Sequence, residues 1–227
     1  DALILVVPAD NFIPDCEAFA RAVRAGIKQA QQGSWVISGV LPSFPATGYG
    51  YIALNQTDAN SAIHAGLYPD RAFPVQGFIE KPNLETAQKM LLQGGFFWNA
   101  GIFLVKASVA IQTAQQYCPG MVESIESAID ESNEGNDVQL GASFAKAQNI
   151  SIDYAILEKH DDVAMVPFAG VWSDVGSWKS VAEITSEADP QGNRHQGAAH
   201  TLCDSRNNFI YAGERPIVAV GVEDLLI

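Results

Sequence analysis

The segment LILVVPAD (residues 3–10) begins a pattern that indicates an α/β protein. Residues 2–7 form a continuous apolar run, which is typical of a strand buried on both faces of a sheet. Apolar residues then recur at intervals of three and four over residues 16–30, which predicts a helix. A second strand is predicted over residues 35–40. This order forms a βαβ unit, and such units build parallel sheets covered by helices.

The following residues continue the alternation of strand and helix patterns. Individual residues indicate where helices begin and end. Asp15 and Asn83 are predicted N-caps, and Gly33 is predicted to end the first helix. The further predicted strands are residues 50–54, 75–79, 102–105 and 163–167. The further predicted helices are residues 84–93, 107–117, 121–131 and 177–187, and residues 131–137 are predicted to form an exposed loop.

The pattern changes after residue 188. Residues 197–227 show no helical period and contain three short strand-like segments. These segments are residues 200–203, 209–212 and 217–222. We therefore divide the chain into a mixed α/β part, residues 1–188, and a β-rich part, residues 189–227.

The charge of the chain excludes some classes of partner. Lys and Arg number 13 against 26 Asp and Glu among 227 residues, so the net charge is −13. Because phosphates would be repelled, we expect no nucleic acid and no anionic membrane as partners. No apolar run approaches the length of a membrane-spanning helix. Three widely spaced cysteines fit neither a disulfide framework nor a zinc site, and we expect reduced thiols in the cytoplasm.

Two carboxylates are candidates for holding a metal ion. Asp10 follows the first predicted strand, and ligands of open α/β sheets bind beyond the carboxyl ends of strands. Asp174 lies in the glycine-containing turn of WSDVGSW (residues 172–178). Mg²⁺ commonly takes one or two carboxylates together with substrate phosphates. The alternatives are that Asp10 stabilises a turn, and that the two tryptophans are core residues that frame a helix cap.

The segment FIEKP (residues 78–82) ends a predicted strand in a carboxylate and an ammonium group. Lys81 could attract a phosphate there, or form a solvated pair with Glu80 worth under about 1 kcal/mol. Asn99 offers a donor and an acceptor, which suits sugar hydroxyls, but its segment also suits a tight turn.

Two further segments allow both a binding role and a purely structural one. GYG (residues 48–50) could let a ligand approach the backbone closely, or form an ordinary turn. Asp153 stands near the start of a predicted helix with Ser151 as cap, and the helix dipole explains a carboxylate there.

Six segments in this order and spacing resemble one family, the sugar-nucleotide pyrophosphorylases, and within it the bacterial mannose-1-phosphate guanylyltransferases. They are LVVPAD (5–10), TGYGYI (47–52), FIEKP (78–82), WNAGIF (98–103), SIDYA (151–155) and GVWSDVGSW (170–178). The resemblance implies a nucleotide-diphospho-sugar transferase fold, a Rossmann-like mixed sheet with helices on both faces, followed here by a short β-rich segment. It also implies Mg²⁺-dependent transfer of GMP from GTP to mannose 1-phosphate, which yields GDP-mannose for polysaccharide biosynthesis.

The resemblance implies roles for individual residues. Asp10 and Asp174 would bind Mg²⁺, and Lys81 would contact the sugar phosphate, which makes these three the implied catalytic residues. The remaining implied substrate-binding residues hold sugar hydroxyls or lie beside them: Gly48, Tyr49, Glu80, Asn99 and Asp153.

One expected feature of the family is not in this sequence. Such enzymes usually carry a Gly-rich, Arg-containing phosphate-binding segment on their first strand and helix, so we expect a fold incomplete at its N-terminus and no GDP-mannose synthesis by this chain alone. The alternatives are transfer to another sugar 1-phosphate, and a non-catalytic module that binds a sugar phosphate. The sequence leaves formation of a homo-oligomer open.

Overall fold

The computed structural model describes residues 1–65, 68–132, 139–198 and 200–227. They form two compact units. The first contains Asp1–Pro8 and Asp15–Gly170, and the second contains Ala9–Pro14 and Val171–Ile227. The predicted boundary near residue 188 rests on the change of sequence pattern there, and it stays a prediction.

A seven-stranded mixed sheet forms the centre of the first unit. Its strands are β1 (Leu3–Val6), β2 (Trp35–Val40), β3 (Tyr51–Ala53), β4 (Phe73–Pro74), β5 (Gly77–Ile79), β6 (Phe96–Lys106) and β7 (Val163–Phe168). They lie in the order β4-β7-β2-β6-β3-β5, and β1 pairs with β6 near its C-terminal end. Among these described strands, β2 and β7 pair in parallel and the other pairs are antiparallel.

Helices cover both faces of this sheet. They are α1 (Cys16–Gln32), α2 (Gln56–Ala65), α3 (Leu84–Gln93), α4 (Ala107–Tyr117) and α5 (Pro119–Asp130). Gly26 of α1 packs against Val36, whereas Trp35 donates a 3.2 Å hydrogen bond from Nε1 to Thr113 Oγ1 of α4. Because successive residues of a strand point to opposite faces, α1 and α4 lie on opposite sides of the sheet. The predicted mixed α/β fold is therefore confirmed.

The ends of α1 follow from local chemistry, as predicted. The Asp15 carboxylate accepts a 2.8 Å hydrogen bond from the Ala18 N–H, and Gly33 ends the helix with φ of 111°. The buried residues of α1 are small and are spaced by four: Ala18, Ala22, Gly26 and Ala30. Small side chains on this face let the helix lie close against the sheet. The larger apolar residues of α1 therefore lie beside this face and not on it.

The prediction that β1 is buried on both faces is wrong. Ile4, Leu5 and Val6 are each 39% exposed, and β1 pairs with β6 alone among the described strands. An apolar run shows that a strand can be buried, but the elements that cover it are set by the rest of the fold. The predicted βαβ order does hold: β1 and β2 run in the same direction, with the antiparallel strand β6 between them.

Three other predicted elements differ in the structure. Of the predicted strand 75–79 only β5, Gly77–Ile79, is a strand, with the short β4 before it, and the predicted strand 102–105 is part of the longer β6. Residues 153–157 form a π-helical segment, Asp153–Leu157, without a side-chain cap. The predicted loop at 131–137 lies outside the described residues from 133 onward.

The second unit combines one helix with short parallel strand pairs. Its elements are α6 (Trp178–Thr185), β8 (Arg194–Gly197), β9 (His200–Cys203), β10 (Phe209–Ala212) and β11 (Ile217–Val220). β8 pairs with β10, and β9 pairs with β11. Asn208 Nδ2, just before β10, donates a 2.9 Å hydrogen bond to Asn193 Oδ1, just before β8. This β-rich segment was predicted, except for β8. Among the described residues, no helix has the length and apolar character to cross a membrane.

Candidate functional site

The first unit gathers Glu80, Lys81, Asn99 and Asp153, here called the polar cluster. Glu80 and Lys81 follow β5, Asn99 lies in β6, and Asp153 begins the π-helical segment. Asn99 Nδ2 donates a 2.8 Å hydrogen bond to Asp153 Oδ1, and Lys81 Nζ lies 3.5 Å from Glu80 Oε1. The structure therefore connects, pair by pair, side chains that the sequence places in three separate segments.

The hydrogen bonds of Asn99 determine the orientation of its amide. Nδ2 donates to Asp153, while Oδ1 accepts a 3.0 Å hydrogen bond from the Gly101 N–H. A side-chain amide has two N–H groups, so these bonds leave Asn99 a second N–H for a ligand oxygen. Its segment is not the tight turn that was the alternative interpretation, because Trp98, Asn99 and Ala100 all lie within β6.

Glu80 is a buried carboxyl group beside an exposed ammonium group. Its side chain is 8% exposed, against 58% for Lys81. Burial is the largest cause that raises the pKa of Glu80, the negative charge of Asp153 raises it further, and Lys81 acts in the opposite direction. Because burial disfavours the charged form of this carboxyl group, a ligand that donates hydrogen bonds to it would stabilise the carboxylate.

Asp153 is affected in the same direction. Burial raises the pKa of Asp153, while hydrogen bonds from its own backbone and from Asn99 oppose the shift. Glu158, at the end of the π-helical segment, adds a negative charge that raises the pKa of both Glu80 and Asp153. No sequence motif identified Glu158, because its effect on these carboxyl groups depends on the packing of that segment.

The GYG segment is attached to the polar cluster through its backbone. The Lys81 N–H donates a 3.2 Å hydrogen bond to the Tyr49 carbonyl, and the Asn99 N–H donates a 2.8 Å hydrogen bond to the Gly50 carbonyl. The Tyr49 ring packs against Trp98, with 5.1 Å between centroids. Gly48 is exposed, and a Cβ there would meet no atom within 4 Å.

The two candidate metal ligands, Asp10 and Asp174, lie in the second unit on neighbouring segments. Phe12 and Ser173 exchange backbone hydrogen bonds of 2.8 and 3.2 Å in an antiparallel bridge. Asp10 precedes this bridge by two residues and is exposed, whereas Asp174 directly follows it and is partly buried. The Gly176 N–H donates a 3.2 Å hydrogen bond to Asp174 Oδ1.

The carboxylates of Asp10 and Asp174 are suited to binding Mg²⁺. Among the described residues, no group of three or more His, Cys, Asp or Glu side chains is placed to hold a metal ion. Two carboxylates on paired segments suit Mg²⁺, which completes its shell with water and phosphate oxygens. They do not suit a structural zinc site, which takes four protein ligands.

The alternative interpretation of WSDVGSW is partly wrong. Trp178 is 62% exposed, so it is not a core residue, whereas Ser177 does cap α6 by accepting a 3.1 Å hydrogen bond from the Ser180 N–H. Val175 has φ of 51°, a left-handed conformation that is strained for a β-branched residue. Strain of this kind is concentrated at functional sites, which draws attention to the neighbouring Asp174.

The architecture of the molecule defines its class. A crystal structure described as mannose-1-phosphate geranyltransferase from Thermus thermophilus matches it with a TM-score of 0.80 and 30% sequence identity. The match covers 99% of this chain and 62% of that chain. A structure of mannose-6-phosphate isomerase from Helicobacter pylori matches with a TM-score of 0.65 and 28% identity, over 75% of this chain and 64% of that one. The fold is that of the nucleotidyltransferases.

The chain belongs to the Nucleotidyl transferase family, whose sequence profile matches residues 1–190. It is 38% identical over 229 aligned positions to the xanthan biosynthesis protein XanB of Xanthomonas campestris pv. campestris. It is 36% identical over 229 positions to the mannose-1-phosphate guanylyltransferase of Escherichia coli strain K12. Both alignments cover 100% of this chain and 46% of the relative, so the chain spans about half the length of these relatives. The resemblance recognised in the sequence is confirmed.

Proposed function

We propose that this chain is the sugar-phosphate-binding part of a mannose-1-phosphate guanylyltransferase. The whole protein would transfer GMP from GTP to mannose 1-phosphate and release GDP-mannose and pyrophosphate. The relative that carries this name, together with the relative named for xanthan biosynthesis, supports the proposal and its link to polysaccharide biosynthesis. For the chain by itself, the proposed activity is binding of the sugar phosphate.

The polar cluster is the observation that carries this proposal. Buried carboxyl groups accept hydrogen bonds from sugar hydroxyls, and the remaining N–H of Asn99 donates to a sugar oxygen. We assign hydroxyl binding to Glu80, Asn99 and Asp153, and phosphate binding to Lys81, whose side chain is exposed. Gly48 would contribute its backbone N–H, and Tyr49 would lie beside the sugar.

We assign Mg²⁺ binding to Asp10 and Asp174. When bound, Mg²⁺ neutralises charge on the phosphates during transfer. The carboxylates' part is to hold the ion, and the 3.2 Å hydrogen bond from Gly176 limits the positions that the Asp174 carboxylate can take.

The reaction would need no covalent intermediate with the protein. A phosphate oxygen of mannose 1-phosphate attacks the α-phosphorus of GTP in line, and the bond from that phosphorus to the β-phosphate bridging oxygen breaks. Pyrophosphate leaves with the electron pair of that bond. Lys81 holds the attacking phosphate while the hydroxyl contacts fix the sugar, so positioning and charge stabilisation supply the catalysis.

We also propose that the protein acts in the cytoplasm. The free thiols of Cys16, Cys118 and Cys203 are in keeping with a reducing compartment.

Calorimetric titration of the chain with mannose 1-phosphate and with glucose 1-phosphate, each with and without Mg²⁺, tests the proposal. Mg²⁺-strengthened binding that favours mannose 1-phosphate is the expected result. Equal or stronger binding of glucose 1-phosphate would indicate transfer to another sugar. Binding together with a lack of GDP-mannose synthesis by the whole protein would indicate a non-catalytic module, and no binding of either ligand would contradict the proposal.

A further inference from the structure

We propose that Gly50 is the positioning residue for the Glu80 carboxylate, because its missing side chain leaves the space that this carboxylate occupies. The inference rests on the proposed role of Glu80 in binding the sugar. It gives the second glycine of the GYG segment a role separate from that of Gly48.

The backbone conformation at Gly50 does not require glycine. The glycines with positive φ in the described chain are Gly33, Gly94, Gly95, Gly101, Gly192, Gly197 and Gly221, and Gly50 is not among them. The φ angle of Gly50 therefore does not lie in the left-handed region that favours glycine. The reason for glycine at this position must lie in the surrounding space.

That space is filled by Glu80. A Cβ at Gly50 would lie 2.5 Å from Glu80 Oε2 and 2.9 Å from Phe78 Cζ, both closer than real Cβ atoms come to other atoms. Gly48, two residues earlier, would place its Cβ in open space. Of the two glycines in this segment, Gly50 is thus the one whose missing side chain is used.

The strand register explains the contact. Tyr51 pairs with Ile79 and Ile52 with Phe78, so continuing the antiparallel register places Gly50 opposite Glu80. Opposite residues of an antiparallel pair have Cβ atoms about 5 Å apart, so a side chain at residue 50 would stand directly against that of Glu80.

Gly50 also holds a second member of the polar cluster. Its carbonyl accepts the 2.8 Å hydrogen bond from the Asn99 N–H. Gly50 therefore positions Asn99 through its carbonyl group, and it leaves room for the Glu80 carboxylate because it has no Cβ. Both contacts act on side chains that are proposed to bind the sugar, Glu80 and Asn99.

The atom that a new methyl group would meet first is the end of a flexible side chain. Gly50→Ala should therefore displace the Glu80 carboxylate, shift the end of the Phe78 ring slightly and leave the β3–β5 pairing intact. Because a hydrogen bond to a charged group is lost, we expect the affinity for mannose 1-phosphate to fall about tenfold or more. Gly77→Ala is the matched control, since it lies in the same strand pair and its Cβ would meet only Ala53 Cβ, at 4.0 Å.

A double-mutant cycle separates positioning from a general structural effect. In a Glu80→Ala background, Gly50→Ala should cause no further loss of affinity, because the displaced group is already gone. In a Glu80→Asp background, the shorter side chain should reduce the effect of Gly50→Ala. An equal loss caused by Gly50→Ala with and without Glu80 would overturn the inference, and so would parent-like affinity of Gly50→Ala alone.

The ¹³C resonance of the Glu80 carboxyl group tests the inference independently of sugar binding. Gly50→Ala should change its chemical shift and move its pKa down towards the ordinary range, because the displaced carboxyl group is less buried. Gly77→Ala should change neither. If the parent chain binds no sugar phosphate, the proposed function fails, and this resonance still decides whether Gly50 seats Glu80: an unchanged signal would refute it.

Discussion

Asn99 Nδ2 donates a 2.8 Å hydrogen bond to Asp153 Oδ1 across 54 positions of sequence. The bond joins β6 to the π-helical segment and satisfies a partly buried carboxyl group. Because Asn99 Oδ1 is held at the same time by the Gly101 N–H, the amide cannot rotate without losing a bond. This bond holds two members of the polar cluster together.

Asn99→Ala should lower the free energy of unfolding by about 1–3 kcal/mol, since it leaves the Asp153 carboxyl group without this donor. Urea unfolding measures the change. Asn60→Ala is a suitable control, because the Asn60 side chain is exposed and its amide oxygen accepts a hydrogen bond from Gln56 of the same helix; its effect should stay within about 0.5 kcal/mol. Equal effects of the two substitutions would show that the Asn99–Asp153 bond contributes nothing specific.

The raised pKa values of Glu80 and Asp153 predict how stability depends on pH. The folded protein holds these protons to a higher pH than the unfolded chain, so unfolding releases protons in the range from about 4 up to the raised pKa values. The contribution of these groups to stability is therefore greatest at low pH and falls as the pH rises through this range.

The double variant Glu80→Gln, Asp153→Asn lacks both titrating groups. Its free energy of unfolding, measured in urea from about pH 4 to about pH 7, should rise relative to that of the parent as the pH increases. Glu85→Gln, at an exposed position on α3, controls for the loss of a charge. A pH-independent difference between the double variant and the parent would contradict the shifts.

Lys81→Ala should weaken binding of mannose 1-phosphate about tenfold and make the affinity less sensitive to salt, because a charge-assisted contact to phosphate is lost. Stability should change by under about 1 kcal/mol, since the pair with Glu80 is largely exposed on the Lys side. Lys89→Ala is the control, because it removes another exposed lysine that is paired with a glutamate, Glu85, at 2.6 Å. If both substitutions left the affinity unchanged, Lys81 would be a surface residue only.

Asp174→Asn, made in the whole protein, should lower the rate of GDP-mannose synthesis at saturating substrate by about a hundredfold or more, because a metal ion contributes several kcal/mol to transition-state stabilisation. The concentration of Mg²⁺ needed for half-maximal rate should rise as well. Asp161→Asn, at an exposed position outside these segments, serves as the control. A near-parental rate for Asp174→Asn would remove this residue from the metal site.

The parts of the fold that the sequence predicted well depend on nearby residues. Asp15 and Asn83 both cap helices at the predicted positions, because each accepts a hydrogen bond from an N–H three residues away. The exposure of β1 could not be predicted in this way, since it depends on which elements of the fold cover the strand.

The candidate site shows the same limit. The motifs identified Glu80, Lys81, Asn99 and Asp153 as residues of suitable chemistry, but not the bond between Asn99 and Asp153, which depends on how the π-helical segment packs beside β6. Gly50 was missed as a separate residue, because its contact with Glu80 follows from the β3–β5 register.

A crystal structure of the chain with mannose 1-phosphate bound would test the proposed site most directly. We expect sugar hydroxyls within hydrogen-bond distance of the Glu80 carboxylate and the Asn99 amide, with the phosphate beside Lys81 Nζ. A sugar phosphate bound elsewhere, with the polar cluster making no contact to it, would contradict the proposed function.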